Sequence, residues 1–342
     1  MVFTLISVAL CLIVTSGSNM YGIINGEVSL ASNTTGIYML STVLSILCTV
    51  IPIIELAPLK NRRNLDTIYF LPMSKWKLAL MHFLSGFAQI TFIYTVAFGA
   101  VFAWLAINTD YYALGYMIPF YFLSLLLGLM MYSIIAFIFN AANTVVDGVI
   151  FIVLWTFLFV LLNYTVGLAA GFWLSRNISE VVTDNLRLHW LFVYSPINNL
   201  TVIYQDLIEI NRASLNYNST AIFAETYLKE TYMFYIWGAF GIAAIVGYFV
   251  TFIKKGAEKA GDISTSIFGY KTLVPIYGYC LITMVGTIRS LFGIITSFLV
   301  AFLIASMVIG HVIYRRSFKL KLSDILICVG GIPFSIIVLL FA

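Results

Sequence analysis

The sequence predicts an all-α, polytopic membrane protein of about nine transmembrane helices, between eight and ten. Three observations carry that reading. Only 9% of the 342 residues are charged, against roughly 25% in an ordinary soluble domain. Hydrophobic residues make up 62% and fall into long runs from end to end. Lys and Arg gather in a few short connections between those runs. A soluble fold of this length would leave much of that apolar surface in water, whereas repeated bilayer spans bury it. A net charge of +4 is too small and too dispersed to suggest nucleic acid as a partner.

The apolar segments lie at residues 2–24, 36–57, 76–107, 113–139, 147–174, 233–253, 273–288, 291–314 and 323–341. A span takes roughly 17 to 25 residues, more when tilted. The second to sixth, the eighth and the ninth satisfy this. The seventh is short and holds Pro275, so it pairs with the eighth as a tight hairpin. The first recruits the small and polar residues after Val14 to reach spanning length. It reads as a retained span rather than a cleaved signal, because no Lys or Arg precedes Lys60. The whole, residues 1–342, is read as one transmembrane domain.

Thirteen of the 18 basic residues form three groups: Lys60, Arg62, Arg63, Lys75 and Lys77; Lys254, Lys255, Lys259 and Lys271; and Arg315, Arg316, Lys319 and Lys321. With these spans all three fall on one face, which the positive-inside rule makes cytoplasmic. The inner loops are then residues 58–75, 140–146, 254–272 and 315–322, with residue 1 inside and residue 342 outside a plasma membrane. The connection 175–232, between the fifth and sixth spans, falls outside. Runs such as "LHWLFVYSPINNLTVIYQDLIEI" are too apolar for a solvated linker, so it reads as a partly folded cap. Sequons at Asn33, Asn177, Asn199 and Asn218 share that outer face.

Within the first inner loop, Pro58 and Pro72 bracket a short segment. Pro58 suits the first turn of a helix and Pro72 ends one. Leu65, Ile68 and Tyr69 follow helical spacing, with Lys60, Arg62, Arg63, Asn64 and Thr67 on the polar side. The pattern predicts a short amphipathic helix within 59–71, lying along the inner surface. Ser74 follows as the N-cap of the third span, with Lys75, Trp76 and Lys77 as interfacial anchors. Two readings of the segment stay open here: a basic loop held by anionic lipids, and a docking element for a cytoplasmic partner.

"RRNLDTIYFLPMSKWKLALMHFLSG" resembles the segment between the second and third spans of bacterial ABC-2 type permeases, the membrane subunits of ATP-driven transporters, often exporters. Arg62, Arg63, Asp66, Leu71, Pro72, Ser74 and Lys75 stand at the matching positions. "FIKKGAEKAGDISTS", "YSPINNL" and "IYRRSFKLK" resemble three further family segments. The resemblance implies a docking site for a separate cytoplasmic ATPase at Arg62, Arg63, Leu65, Asp66, Ile68, Tyr69, Pro72, Ser74 and Lys75. It implies a secondary contact at Lys254, Lys255, Glu258 and Gly261. A second permease copy or paralogue would complete the membrane part. ATP and Mg would then belong to the partner, this chain binding no cofactor and having no enzymatic role of its own.

The residues agree with that division. "GAEKAGDI", residues 256–263, has the glycine spacing of a P-loop, yet Asp262 and Ile263 stand where Lys and Ser or Thr are needed. His82, His189 and His311 are scattered, with no carboxylate beside them in sequence to build a metal site. Cys11, Cys48, Cys280 and Cys328 are isolated in apolar runs, as packing residues. Glu55, Asp110, Asp147 and Arg289 sit at or near span ends and the span middles hold no charge, which weakens the case for an ion-coupled carrier. The same composition would also suit a membrane scaffold or a membrane-embedded enzyme. Gly167 and Gly171 share one helix face and allow close helix packing.

The one-sided basic groups make a topological prediction. Asn64→Cys and Glu258→Cys should resist an impermeant thiol reagent applied outside intact cells, and Leu215→Cys should react. Labelling of residue 64 from outside would reverse the orientation.

Overall fold

The computed structural model describes residues 4–10, 23–24, 27–28, 31–61, 73–108, 114–158, 232–255 and most of 261–287, with isolated helical positions at 161, 302, 305 and 309. Six named helices make up most of this: α1 (Ala31–Leu56), α2 (Lys75–Asn108), α3 (Leu114–Ala141), α4 (Val145–Leu158), α5 (Tyr232–Lys254) and α6 (Tyr270–Thr287). Four stretches are long and apolar enough to cross a membrane: Met39–Lys60, Lys75–Trp104, Met117–Ala141 and Phe234–Lys254. The described protein is therefore helical and built for a bilayer. Apart from those isolated positions, the expected eighth and ninth spans, the later part of the fifth, and nearly all of the outer connection lie outside the described residues.

The N-terminal region differs from the expected span. Residues 4–10 are helical, but Ile23–Ile24 (β1) pairs antiparallel with Glu27–Val28 (β2), in register Ile23↔Val28 and Ile24↔Glu27. A helix therefore does not run through to residue 24. The intervening Asn25-Gly26 is a strong two-residue hairpin signal, since both residue types tolerate positive φ.

The chain divides into two compact units. Among the described residues the first holds α1, α2, α3 and α5. Side-chain pairs fix their directions: Phe83 meets Tyr132 while Tyr94 meets Tyr121, so α2 and α3 are antiparallel. Gly241 meets Met130 while Gly247 meets Phe137, so α3 and α5 run the same way. The C-terminal ends of α1, α3 and α5 thus gather with the N-terminal end of α2. In the second unit α4 and α6 run alongside each other. The Tyr270 hydroxyl donates to Asp147 Oδ1 at 3.0 Å and the Tyr277 hydroxyl to the Leu154 carbonyl at 2.5 Å.

Lipid tails are as apolar as leucine, so helices in a bilayer associate through close packing and hydrogen bonds rather than by escaping water. The first unit follows that rule. Ala79, Ala97, Ala136, Ser41, Ser124 and Ser133 are fully buried. Gly86 lies directly under the Tyr132 hydroxyl, leaving no room for a Cβ. Around it Phe83, Tyr132 and Tyr248 form an aromatic cluster, with ring centroids 5.1 and 5.4 Å from Phe83. Such pairs contribute about 0.5–1.5 kcal/mol each beyond area burial. The two phenols are satisfied by carbonyls of α2, Tyr132 by Phe83 at 3.0 Å and Tyr248 by Ala79 at 3.4 Å. Span hydroxyls such as Thr49, Thr91 and Ser133 donate to the carbonyl four residues back, which hides a polar group from lipid within its own helix.

Two glycines test this packing. A Cβ at Gly241 would lie 2.7 Å from Met130 Cγ and 3.2 Å from its Cα, whereas one at Gly99 meets nothing within 4 Å. Gly241→Ala should destabilise the chain by about 1–3 kcal/mol through overpacking. Gly99→Ala should be neutral or stabilising by up to about 1 kcal/mol. Thermal denaturation of both variants in the same detergent checks the contrast, and equal midpoints would refute it.

Candidate functional site

The end where α1, α3 and α5 finish and α2 begins carries the candidate residues. Of the expected docking set, Arg62, Arg63, Leu65, Asp66, Ile68, Tyr69 and Pro72 lie outside the described residues, as do Glu258, Gly167 and Gly171. Ser74, Lys75, Lys254, Lys255 and Gly261 are described.

Pro58 does open a turn, a 3₁₀ helix over Ala57–Lys60, but Asn61 is extended, with φ −97° and ψ 119°. The turn therefore stops before Arg62. Lys60, expected on the polar side of a surface helix, is instead 7% exposed. Its Nζ donates to the Phe139 carbonyl at 2.6 Å and lies 4.5 Å from the centre of the Phe139 ring. The cause is the end of α3, whose last four carbonyls have no amide donor within the helix. A cation there also meets the negative end of the helix dipole and the ring face.

A second lysine does the same for the next carbonyl. Lys255 Nζ donates to the Asn140 carbonyl at 2.8 Å. Asn140 in turn donates from Nδ2 to Thr251 Oγ1 at 2.9 Å and to the Tyr248 carbonyl at 3.4 Å. The end of α3 is thus held from the α1 side by Lys60 and from the α5 side by Lys255. Lys254, in the last turn of α5, is exposed.

Ser74 stands at the N-cap position of α2, its carbonyl accepting from Leu78 N at 3.1 Å. Lys75, Trp76 and Lys77 are exposed, and the Trp76 ring packs on Phe249 of α5 at 4.4 Å. In the second unit, Gly261 has φ 80°, a region costly for other residues. Its amide donates to the Asn143 carbonyl at 3.1 Å, and the Asn143 amide donates to Ser264 Oγ at 3.1 Å. Just beyond, Thr144 caps α4 by accepting from Asp147 N at 3.0 Å. Gly261 thus has a definite backbone role in folding its loop.

His82 departs from the expectation of a lone histidine. A carboxylate does stand beside it: Glu55 Oε1 lies 3.2 Å from His82 Nδ1. Gln89 Nε2 donates to Glu55 Oε2 at 3.2 Å. The partners are separated by 27 and 34 positions in sequence. The antiparallel packing of α1 and α2 joins them, and no local motif announces it. Among the described residues no three His, Cys, Asp or Glu side chains converge as a metal site.

No family model, curated protein or solved structure matches this chain.

The lysine clamp makes a prediction. Lys60→Met keeps the apolar stem but leaves the buried Phe139 carbonyl without that donor. It should cost about 1.5–3 kcal/mol, the range for a hydrogen bond to a charged group. Amide hydrogen exchange over residues 136–141 should accelerate in the same variant. Unchanged exchange there would show that Lys60 does not hold the helix end.

Proposed function

We propose that this chain is the permease subunit of an ATP-driven, ABC-2 type transporter, an exporter, working in the plasma membrane. Two permease chains, identical or paralogous, would pair with two copies of a separate cytoplasmic ATPase that binds ATP and Mg. The segment 59–71 would seat in a cleft of that ATPase through Arg62, Arg63 and Asp66 on its polar side and Leu65, Ile68 and Tyr69 on its apolar side. Pro72 would end the element before Ser74 and Lys75 start α2.

The observation that carries this reading is the family-like motif of residues 62–75, set between two long apolar helices that pack on each other. A load on this segment would reach α1 and α2 directly. Closure of the nucleotide-bound ATPases would tilt the two helices and switch the path between inward- and outward-facing states. The Glu55–His82 pair favours a second reading, an ion-coupled carrier, because it brings a carboxyl group and an imidazole together near the ends of two spans. A P-loop protein encoded by a neighbouring gene and copurifying with this chain would decide for the first.

Reversing charge at the proposed seat tests docking directly. Arg62→Glu with Arg63→Glu leaves the apolar side of the segment untouched. The two residues also help hold the loop inside, at about 1 kcal/mol each beside an anionic surface, so topology is verified in the same variant. The double variant should reach the membrane but lose its ATPase on purification, since a desolvated charge mismatch costs several kcal/mol. An unchanged amount of bound ATPase per inserted chain would defeat the docking proposal and favour a lipid-facing loop.

A further inference from the structure

Gln89 is a polar side chain exposed deep in a span. It stands fourteen residues beyond Lys75, about 21 Å along α2 at 1.5 Å per residue, within a hydrocarbon layer about 30 Å thick. Its amide nitrogen donates to Glu55 Oε2 at 3.2 Å and to Ser85 Oγ at 3.4 Å. Both bonds leave from Nε2, and Gln89 Oε1 accepts none among the described residues. Glu55 is half-buried, and its other oxygen faces His82 Nδ1. His82 Nε2 is buried with no hydrogen-bond partner. In either neutral tautomer, or doubly protonated, that nitrogen lacks a mate.

The rest of the exposed surface at this level behaves differently. Leu84, Phe92, Ile46, Phe122 and Leu126 are exposed and apolar, as lipid requires. Thr95 is exposed but satisfied in place, its hydroxyl bonded to the Thr91 carbonyl and to the Tyr121 hydroxyl, each at 2.6 Å. An under-satisfied carboxamide beside a carboxyl group has no such solution in hydrocarbon. Ionisable groups in spans face a protein interior or a water-filled cavity.

We propose that the flank of α1 and α2 carrying Glu55, Ser85 and Gln89 lines a water-filled path open toward the lysine-bearing end of the bundle. Its carboxylate suits a cargo with cationic or hydrogen-bond-donating groups. This requires a path for cargo but not a particular energy source, so it stands or falls apart from ATPase docking.

The test is thiol accessibility of the full chain in lipid nanodiscs, with the unsubstituted chain as blank for its own cysteines. Ser85→Cys, Gln89→Cys and the lipid-facing control Phe122→Cys are treated with cationic and with anionic methanethiosulfonates. Ser85→Cys and Gln89→Cys should react at least about tenfold faster than Phe122→Cys with the cationic reagent, the scale of focusing in a charged cleft. Ser85→Cys leaves the Glu55–Gln89 bond intact, so it still reports if Gln89→Cys inserts poorly. Adding Glu55→Gln to Ser85→Cys should erase the preference for the cationic reagent. Reaction at both sites without charge preference would overturn the cargo class. Rates no faster than at Phe122→Cys would overturn the path. So would oxidative cross-linking of Ser85→Cys between two copies, which would show the flank sealed by a second chain.

Discussion

A helix end inside a membrane protein has carbonyls that neither its own amides nor lipid can satisfy. At the end of α3 this constraint organises the first unit. Phe139 and Asn140 offer their carbonyls there, and the donors are Lys60 and Lys255 from two other connections. Lys60 follows α1 closely and Lys255 follows α5 directly, so the bonds also fix where those helices stop relative to α3. The Asn140 side chain adds a link to Tyr248 and Thr251. Basic residues that the positive-inside rule reads as topological signals are, at two positions, hydrogen-bond donors that knit three helices. Topology and packing thus draw on the same side chains.

Elsewhere the first unit depends on closeness. Lipid gives no reward for burying Leu against Leu rather than against acyl chains. What distinguishes the helix contacts is therefore small residues facing large ones. Gly86 lies under Tyr132 and Gly241 against Met130. Cys48, buried in α1, donates its thiol toward the Gly128 carbonyl at 3.3 Å, so a residue read as packing also supplies a weak bond. Prolines at positions 52, 119 and 275 sit inside helices. Long apolar helices tolerate them because neighbouring helices support the interrupted backbone.

Much of this is legible in the sequence because the signals are local. Long apolar runs mark the helices to within a few residues: 76–107 is expected where Lys75–Asn108 is found, and 233–253 where Tyr232–Lys254 is found. Shared placement of Lys60, Lys75 and Lys254 at one end follows from counting spans. The hairpin at Ile23–Val28 escapes a reading by spanning length, although Asn25-Gly26 marks it, because the segment is apolar enough to extend the first span. Lys60 goes astray for another reason. Its burial is dictated by a carbonyl 79 positions away, and a helical wheel drawn on 59–71 holds no trace of it. The Glu55–His82 pair is hidden in the same way, since the register between two antiparallel spans is set by packing rather than by any local motif.

That pair bears on the proposed function in a way that counting charges misses. Counting charges along each span sets Glu55 aside as a span-end residue, which it is, one position before α1 finishes. Yet its side chain meets His82 in the second turn of α2 and Gln89 two turns further on. The tyrosines of α3 and α5 nearest this pair, Tyr132 and Tyr248, turn their hydroxyls to carbonyls of α2. Neither phenol reaches His82 Nε2, which stays buried with no hydrogen-bond partner, while Glu55 Oε2 accepts from Gln89 on the exposed flank. The proposed water-filled path needs a polar wall whichever of the two proposed energy sources drives it. Under the proposed function, the pair would therefore bear on where cargo passes more than on what drives it.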